Sequence, residues 1–481
     1  MNRRMVFFTV GLITCCEAVL MLLPLIVSLI YQEQCVVSFA ISIGIALLIG
    51  VPLMLICKPK SHVIYAKEGF VTVALAWIIL SIIGAFPFVI SKEIPSFVNA
   101  FFETVSGFTT TGASIVENVE LMSHGILFWR SFTHWIGGMG VLVFIVAIMP
   151  NVSDRSIHIL RAEMPGPIMG KLVPKIKETA KILYLIYIAM TVVEIIMLIC
   201  GGMPVFDSLI HSFGTAGTGG FGMKADSVEG YSSYLQWVIG IFMMLFGINF
   251  NLFYLCIIGR IRSVLKSEEL WGYFGIIAAS AAVICANILP IYKNFSKALR
   301  LSFFQVSSIM TTTGFSTADF DSWPELSKGI LLLLMFIGAC AGSTGGGIKV
   351  SRIVLLFKNI KREIKRLIHP RLVSTVRFEG KNIDDATING VNNYLALYLF
   401  CFLAIFLVLC VESNLSFETN FSAVAACFNN IGPGFNLVGP ASNYSAYSAL
   451  SKITLSFAML LGRLELFPII IAFAPSTWTK K

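Results

Sequence analysis

Residues 309–317 read "IMTTTGFST", and residues 108–114 read "FTTTGAS", almost the same words in the same setting. Each string follows a short apolar stretch and precedes a longer one. Two further strings occupy the same setting, "GTGGFG" at 217–222 and "NNIGPGF" at 429–435. The short stretches before them are "FVNAFFETVSGF", "VFDSLIHSFG", "ALRLSFFQVSSIM" and "FSAVAACFNNIG". Segments of about 10–14 apolar residues do not cross a bilayer and are read as buried or re-entrant. Aligning the glycines of the four strings pairs Gly112, Gly220, Gly314 and Gly432, separated by 108, 94 and 118 residues. A unit that recurs at such a period is a statement about architecture.

The sequence around the strings is that of a membrane protein. Hydrophobic residues make up 57% of the 481 residues and charged residues 13%, with mean hydropathy +0.84. A soluble domain is nearer half apolar and a quarter charged. Ten apolar spans are expected, at about 5–30, 36–57, 69–90, 126–150, 182–202, 234–259, 271–291, 327–348, 391–411 and 447–474. A β-barrel would show alternating strands of about ten residues instead. The N-terminal run has a basic start, but it is long, contains Glu17 and lacks a small-residue cleavage site. It is therefore read as a first span rather than a signal peptide.

The predicted fold is an all-α polytopic membrane protein. An N-terminal transmembrane hairpin (1–68) precedes four tandem helix–pore loop–helix repeats, at 69–155, 178–265, 270–367 and 388–478. Four such units can close around a pseudo-fourfold axis.

Charge sets the expected orientation. With the N-terminus inside, 26 of the 35 Lys and Arg fall in cytoplasmic segments and eight outside. That is the positive-inside bias, and it puts both termini in the cytoplasm and all four strings on the outer side. The net charge of +9 is thus a topological signal, not a nucleic-acid one. The densest basic run, "KNIKREIKRLIHPR" at 358–371, reads as a helix end facing anionic headgroups, or as a docking surface for a cytoplasmic partner. Asp226, Asp319 and Asp321 closely follow the second and third strings and are expected to enrich cations at the outer mouth. Eleven cysteines lie mostly in apolar runs without a C-x-x-C pair, and six histidines are scattered. Neither pattern makes a metal site or a nucleophile constellation, so no cofactor and no enzyme chemistry are expected in this chain.

Why the strings matter follows from ion solvation. A cation crossing a membrane must exchange its water for other oxygens, and rings of backbone carbonyls do this for potassium. Glycine admits the left-handed backbone that turns successive carbonyls to one side, threonine adds a hydroxyl acceptor, and the C-terminal end of the short helix before each string favours a cation. The candidate potassium-binding residues are Thr110, Thr111 and Gly112; Thr218, Gly219 and Gly220; Thr312, Thr313 and Gly314; Asn430, Ile431 and Gly432. In the second string Gly220 is favoured as the key glycine, with Gly219 as the fallback.

A different glycine-rich run, "GACAGSTGGGIKVSRI" at 338–353, falls within the eighth span. It is not a phosphate loop, because Ile348 separates Gly347 from Lys349. Glycine, serine and threonine hold a helix poorly, so the span is expected to break there. Arg463 lies within the last span, where an arginine costs about 2.5–3.5 kcal/mol and demands water or a partner. Two readings stand: a buried ion pair with an acid such as Glu194, or a positive charge that opposes potassium in the pore.

At these residues the chain resembles the Trk/Ktr/HKT superfamily of potassium transporters, and most of all its TrkH-type membrane subunits. The resemblance covers all ten spans. It rests on "TTTGAS", "TTTGFST", "NNIGPGF", "GACAGSTGGGIKVSRI" and "LGRLELFP" (461–468), in that order, with the hairpin 1–57 matching the TrkH type. It implies potassium uptake across a bacterial cytoplasmic (inner) membrane, with K+ as the transported ion. In related plant proteins a serine at the first filter glycine goes with sodium preference; here that position is Gly112. It also implies a gate made of Gly342, Ser343, Thr344, Gly345, Gly346, Gly347 and Arg463. The partners it implies are a second copy of the chain and a cytoplasmic nucleotide-binding subunit of the RCK type, TrkA in the TrkH case, besides membrane lipids. The rival from the residues is a cation-coupled secondary transporter, a K+/H+ or K+/Na+ symporter on the same scaffold, in which glycine strings break helices at a substrate site.

Overall fold

The computed structural model describes residues 2–59, 66–140, 176–371, 374–412 and 414–479. Residues 141–155 of the first repeat, and nearly all of the expected loop 151–181, lie outside these. Two N-terminal helices, Arg3–Leu20 continued by Leu22–Ile30 and Cys35–Ile56, form a hairpin. They meet at two glycines: a Cβ on Gly50 would lie 2.9 Å from the Gly11 carbonyl, and one on Gly11 equally close to that of Gly50. Small residues at facing positions let membrane helices approach this closely.

The repeats follow. Their long first helices run Ala66–Gly84 (extended by Phe86–Ile90), Ile176–Cys200, Glu268–Tyr292 and Asp385–Glu412. With the hairpin these give six helices long and apolar enough to span a membrane, among the described residues. Outward faces carry exposed Leu48, Ile56, Leu185, Phe400 and Val411, as a lipid-facing surface requires. Short helices come next: Phe97–Phe108, Val205–Gly217, Phe295–Met310 and Phe417–Phe428.

The second helices depart in part from the sequence reading, which made three of them continuous spans and expected a break only in the third. All four stop early: His124–Gly138, Ser233–Phe246, Glu325–Ile337 and Ala449–Arg463. The second then turns by 93° into Phe250–Ile257, and the fourth by 120° into Phe467–Phe473. The third resumes as Val350–Ile368 after a non-helical loop. In the first and fourth repeats the ends coincide with close packing. The Phe108 carbonyl would sit 1.9 Å from a Cβ on Gly137, and the Phe428 carbonyl 2.0 Å from one on Gly462. Each glycine marks where the end of a short helix presses on the wall of the repeat. A small antiparallel hairpin, Val376–Phe378 with Lys381–Ile383, was not anticipated. It turns through Glu379 and Gly380, both at positive φ.

Candidate functional site

The four short helices end alike. Thr110, Thr218, Thr312 and Asn430 are left-handed, with φ of 56°, 56°, 60° and 57°. Their N–H groups donate three residues back, to the carbonyls of Gly107, Thr215, Ile309 and Cys427. The next N–H, of Thr111, Gly219, Thr313 and Ile431, donates five residues back to Ser106, Gly214, Ser308 and Ala426. This is the Schellman termination, with β-branched threonine at three positions where glycine is usual. Left-handed threonine is a true outlier, and such strain gathers at functional sites.

Two residues on, Gly112, Gly220, Gly314 and Gly432 again have positive φ, at 80°, 80°, 85° and 95°. The alternation therefore repeats four times in register, with Gly220 as the counterpart of the other three. These glycines close a ring. A Cβ on Gly112 would lie 2.0 Å from the Gly219 carbonyl oxygen, on Gly220 2.1 Å from that of Thr313, on Gly314 2.0 Å from that of Ile431, and on Gly432 2.7 Å from that of Thr111. Each repeat thus abuts the next, and the fourth abuts the first. An L-residue at any of these four positions would be strained in conformation and would force the facing carbonyl to shift.

Side chains fix the ring from behind. The Thr109 and Thr111 hydroxyls lie 2.8 Å apart, as do those of Thr311 and Thr313. Asn430 donates through Nδ2 to Thr111 Oγ1 and to the Met459 carbonyl, both at 2.9 Å. The Tyr444 hydroxyl donates to the Gly432 carbonyl at 2.7 Å. Among the described residues, the Thr110 hydroxyl and the Asn430 amide oxygen are buried without a hydrogen-bond partner. Buried polar atoms are rarely left so, and these two sit at equivalent places in adjacent repeats.

A cavity opens onto the four glycines, lined also by Glu117, Arg130, Lys224 and Tyr444. Glu117 is the acid on its lining. Asp321 instead accepts the Asn436 N–H at 2.9 Å, and Asp319 accepts the Asp321 N–H at 3.1 Å. These aspartates hold turns.

A second cavity is lined by Gly138, Gly342, Ser343, Gly345–Gly347, Gly462 and Arg463. The chain between Ile337 and Val350 fills the space between it and the ring. Gly346 N–H donates to Thr312 Oγ1 at 2.6 Å, and a Cβ on Gly346 would lie 2.4 Å from the Asn429 carbonyl. A Cβ on Gly345 would meet the Thr311 carbonyl at 2.8 Å. The loop therefore lies directly against the ring's supporting backbone. The Thr344 hydroxyl donates to the Phe246 carbonyl at 3.3 Å, and Phe250 N–H to Gly342 at 3.0 Å. Lys349 Nζ donates back to Gly345. Glu269 grips both ends of the loop, accepting from Ala341 N–H at 2.7 Å and Ser351 N–H at 3.1 Å.

Arg463 reaches this loop. Its guanidinium donates to the carbonyls of Thr344 (2.7 Å), Gly137 (2.5 Å) and Gly138 (2.8 Å). It is tied to three carbonyls rather than aimed bare along a pore, which the sequence reading did not foresee. Glu465 lies past the helix end and pairs with Arg352.

Several contributors were missed in the sequence. Arg130 pairs with Glu103 at 2.6 Å, and Glu103 also accepts from the Ser114 hydroxyl and the Ile115 N–H. His134, one helical turn from Arg130, is fully buried beside the second string. The available signal was an arginine and a histidine four residues apart inside an apolar run, where polar side chains are costly and in demand.

The model of the TrkH family, described as a cation transport protein, matches residues 37–278 and 291–480. The chain is similar to the Trk system potassium uptake protein TrkH of Salmonella typhimurium, 37% identical over 99% of this chain and 100% of that protein. It is 34% identical to the Trk system potassium uptake protein TrkG of Escherichia coli, over 99% of this chain and 98% of that one. The crystal structure of the potassium transporter TrkH from Vibrio parahaemolyticus superposes with a TM-score of 0.90, at 33% identity and 100% coverage of both chains.

Proposed function

The chain belongs to the TrkH family of cation transport proteins, and on that premise we propose that it takes up potassium through the ring formed by its four strings. The observation that carries the reading is the closed ring itself: four left-handed glycines, each against the carbonyl of the next repeat. Transferring a bare ion into a low-dielectric interior costs tens of kcal/mol. The carbonyls of Thr111, Gly219, Thr313 and Ile431 offset that cost by replacing water. The buried, unpartnered oxygens of Thr110 and Asn430 add acceptors that a dehydrated cation would satisfy. Four short helices end at the ring, so four negative helix ends favour a cation there.

The gate in this reading is the loop Gly342–Gly347 together with Arg463. The loop blocks the path below the ring, and the arginine fastens it to the ends of two other repeats. The reading extends to a homodimer in the inner membrane, and the charge asymmetry of the sequence supports the orientation with both termini cytoplasmic. It includes a cytoplasmic nucleotide-binding RCK-type subunit, TrkA-like. The words "Trk system" in the relatives' names support a multi-component assembly. The test is rubidium uptake into liposomes holding the purified chain. Uptake that sodium inhibits poorly, and that Gly112→Ser makes sodium-sensitive, is expected. Uptake that stays tied to a fixed stoichiometry of protons or sodium would instead identify a coupled symporter.

A further inference from the structure

We propose that His134 supplies, from a neighbouring repeat, the wall that the second string lacks, and that it thereby positions the Gly219 carbonyl and sets cation selectivity. This rests on the reading of the glycine ring as a selectivity filter.

The second string is the odd one. In the first and third repeats the residue before the ring glycine is a threonine, Thr111 or Thr313, and each pairs its hydroxyl with a threonine two residues earlier. In the fourth these positions hold Ile431 and Asn429. In the second repeat both are glycine, Gly219 and Gly217. Nothing about their own conformation requires it, because neither has positive φ. The space explains it. A Cβ on Gly219 would lie 2.3 Å from Cγ and Nδ1 of the His134 ring, and one on Gly217 would lie 2.3 Å from the His134 carbonyl. The imidazole occupies the volume that a threonine side chain would fill.

The ring also makes bonds the glycines cannot. His134 Nδ1 lies 2.8 Å from the Gly107 carbonyl, and Nε2 accepts the Phe221 N–H at 3.3 Å. With Nε2 accepting, the proton is assigned to Nδ1 and is donated to Gly107. One neutral imidazole therefore ties the end of the first short helix to the strand just beyond Gly220. Its ring packs on Phe221, with centroids 4.2 Å apart, and the Arg130 guanidinium also lies over that ring, 3.5 Å from its centroid. Without this strut the second strand has two glycines in a row and no side chain to hold its carbonyl. A ring that selects ions by carbonyl position depends on all four strands being held. His134 is a positioning residue, not an ion ligand.

The experiment measures potassium-to-sodium permeability from bi-ionic reversal potentials of the full chain in planar bilayers, with thermal stability and total conductance recorded for each variant. His134→Ala should lower the ratio by about tenfold, the scale of one lost buried hydrogen bond. His134→Asn keeps a donor near Gly107 but cannot reach Phe221, and should also lower it. Gly219→Thr alone should lower the ratio, whereas Gly219→Thr placed in His134→Ala should recover most of it. A merely structural histidine would change stability or conductance and leave the ratio alone. Gly314→Ser serves as the reference. If it alters the ratio and both His134 variants keep the wild-type value, the role of His134 is overturned while the filter stands. If Gly314→Ser also leaves the ratio unchanged, the filter reading itself fails. A double variant no better than His134→Ala would overturn the volume-exchange argument.

Discussion

Replacing Arg463, with alanine and then with lysine, tests the two ways in which it could restrain ions. As a fixed charge about 6 Å from the path, at an effective dielectric of about 20, it would oppose a potassium ion by roughly 3 kcal/mol. Its three carbonyl partners at 2.5–2.8 Å place negative dipole ends around the guanidinium, so that figure is an upper bound. As a latch, it donates one charge-assisted bond to the loop at Thr344 and two to the end of the helix His124–Gly138. A bond of that kind contributes about 1.5–3 kcal/mol. Losing the Thr344 bond alone shifts the loop's closed-to-open ratio by about ten- to a hundredfold. Arg463→Ala should therefore raise rubidium flux by about tenfold or more in liposomes lacking any cytoplasmic partner. Arg463→Lys discriminates between the two effects. It keeps the charge but cannot present the planar fork that spans Thr344 and Gly137. The latch argument expects Lys to resemble Ala; a pure field would leave Lys like the wild type. A fall in flux for folded Arg463→Ala would refute both, and would make the arginine a strut for the pore walls.

The loop's other fastening is Glu269, and Glu269→Ala leaves the Ala341 and Ser351 N–H groups without their acceptor, at a cost of about 1–3 kcal/mol each. Amide exchange across 338–349 should accelerate and partner-free flux should rise; unchanged exchange would show that the loop is held without it. At the mouth, Glu117→Gln should reduce inward flux at low ionic strength, with the difference vanishing at high salt as screening takes over. Neutralising Asp319 and Asp321 together should instead lower thermal stability, because Asp321 caps the Asn436 N–H; a salt-dependent flux loss there without a stability loss would reverse these assignments.

The four strings were legible because the ring needs left-handed backbone, and glycine is the residue that accepts it without cost. The register of the second string was recoverable only in part. "GTGGFG" offers four glycines, and it is the shared alternation of φ at Thr218 and Gly220 that singles one out. The break at 338–349 was legible from its run of glycines. The breaks after Gly138, Phe246 and Arg463 were not, since each involves only one or two glycines and the group that packs on them belongs to a distant segment: the Phe108 carbonyl on Gly137, the Tyr273 side chain on Gly247 and the Phe428 carbonyl on Gly462. His134 escaped for the same reason. Its partners lie 27 and 87 residues away, and in the sequence it reads as one of six scattered histidines. The hairpin Val376–Ile383 has three-residue strands, too short for an alternating pattern to register.

The central claim is that ions pass between the carbonyls of Thr111, Gly219, Thr313 and Ile431. Anomalous diffraction from crystals of this chain grown in rubidium or thallium salts would locate the ions directly. The account predicts a peak on the axis of the four-glycine ring, within coordinating distance of those carbonyls, and its loss or displacement when sodium replaces rubidium. Ions found only in the cavity beside Gly345 and Arg463, with the ring empty under saturating rubidium, would contradict it.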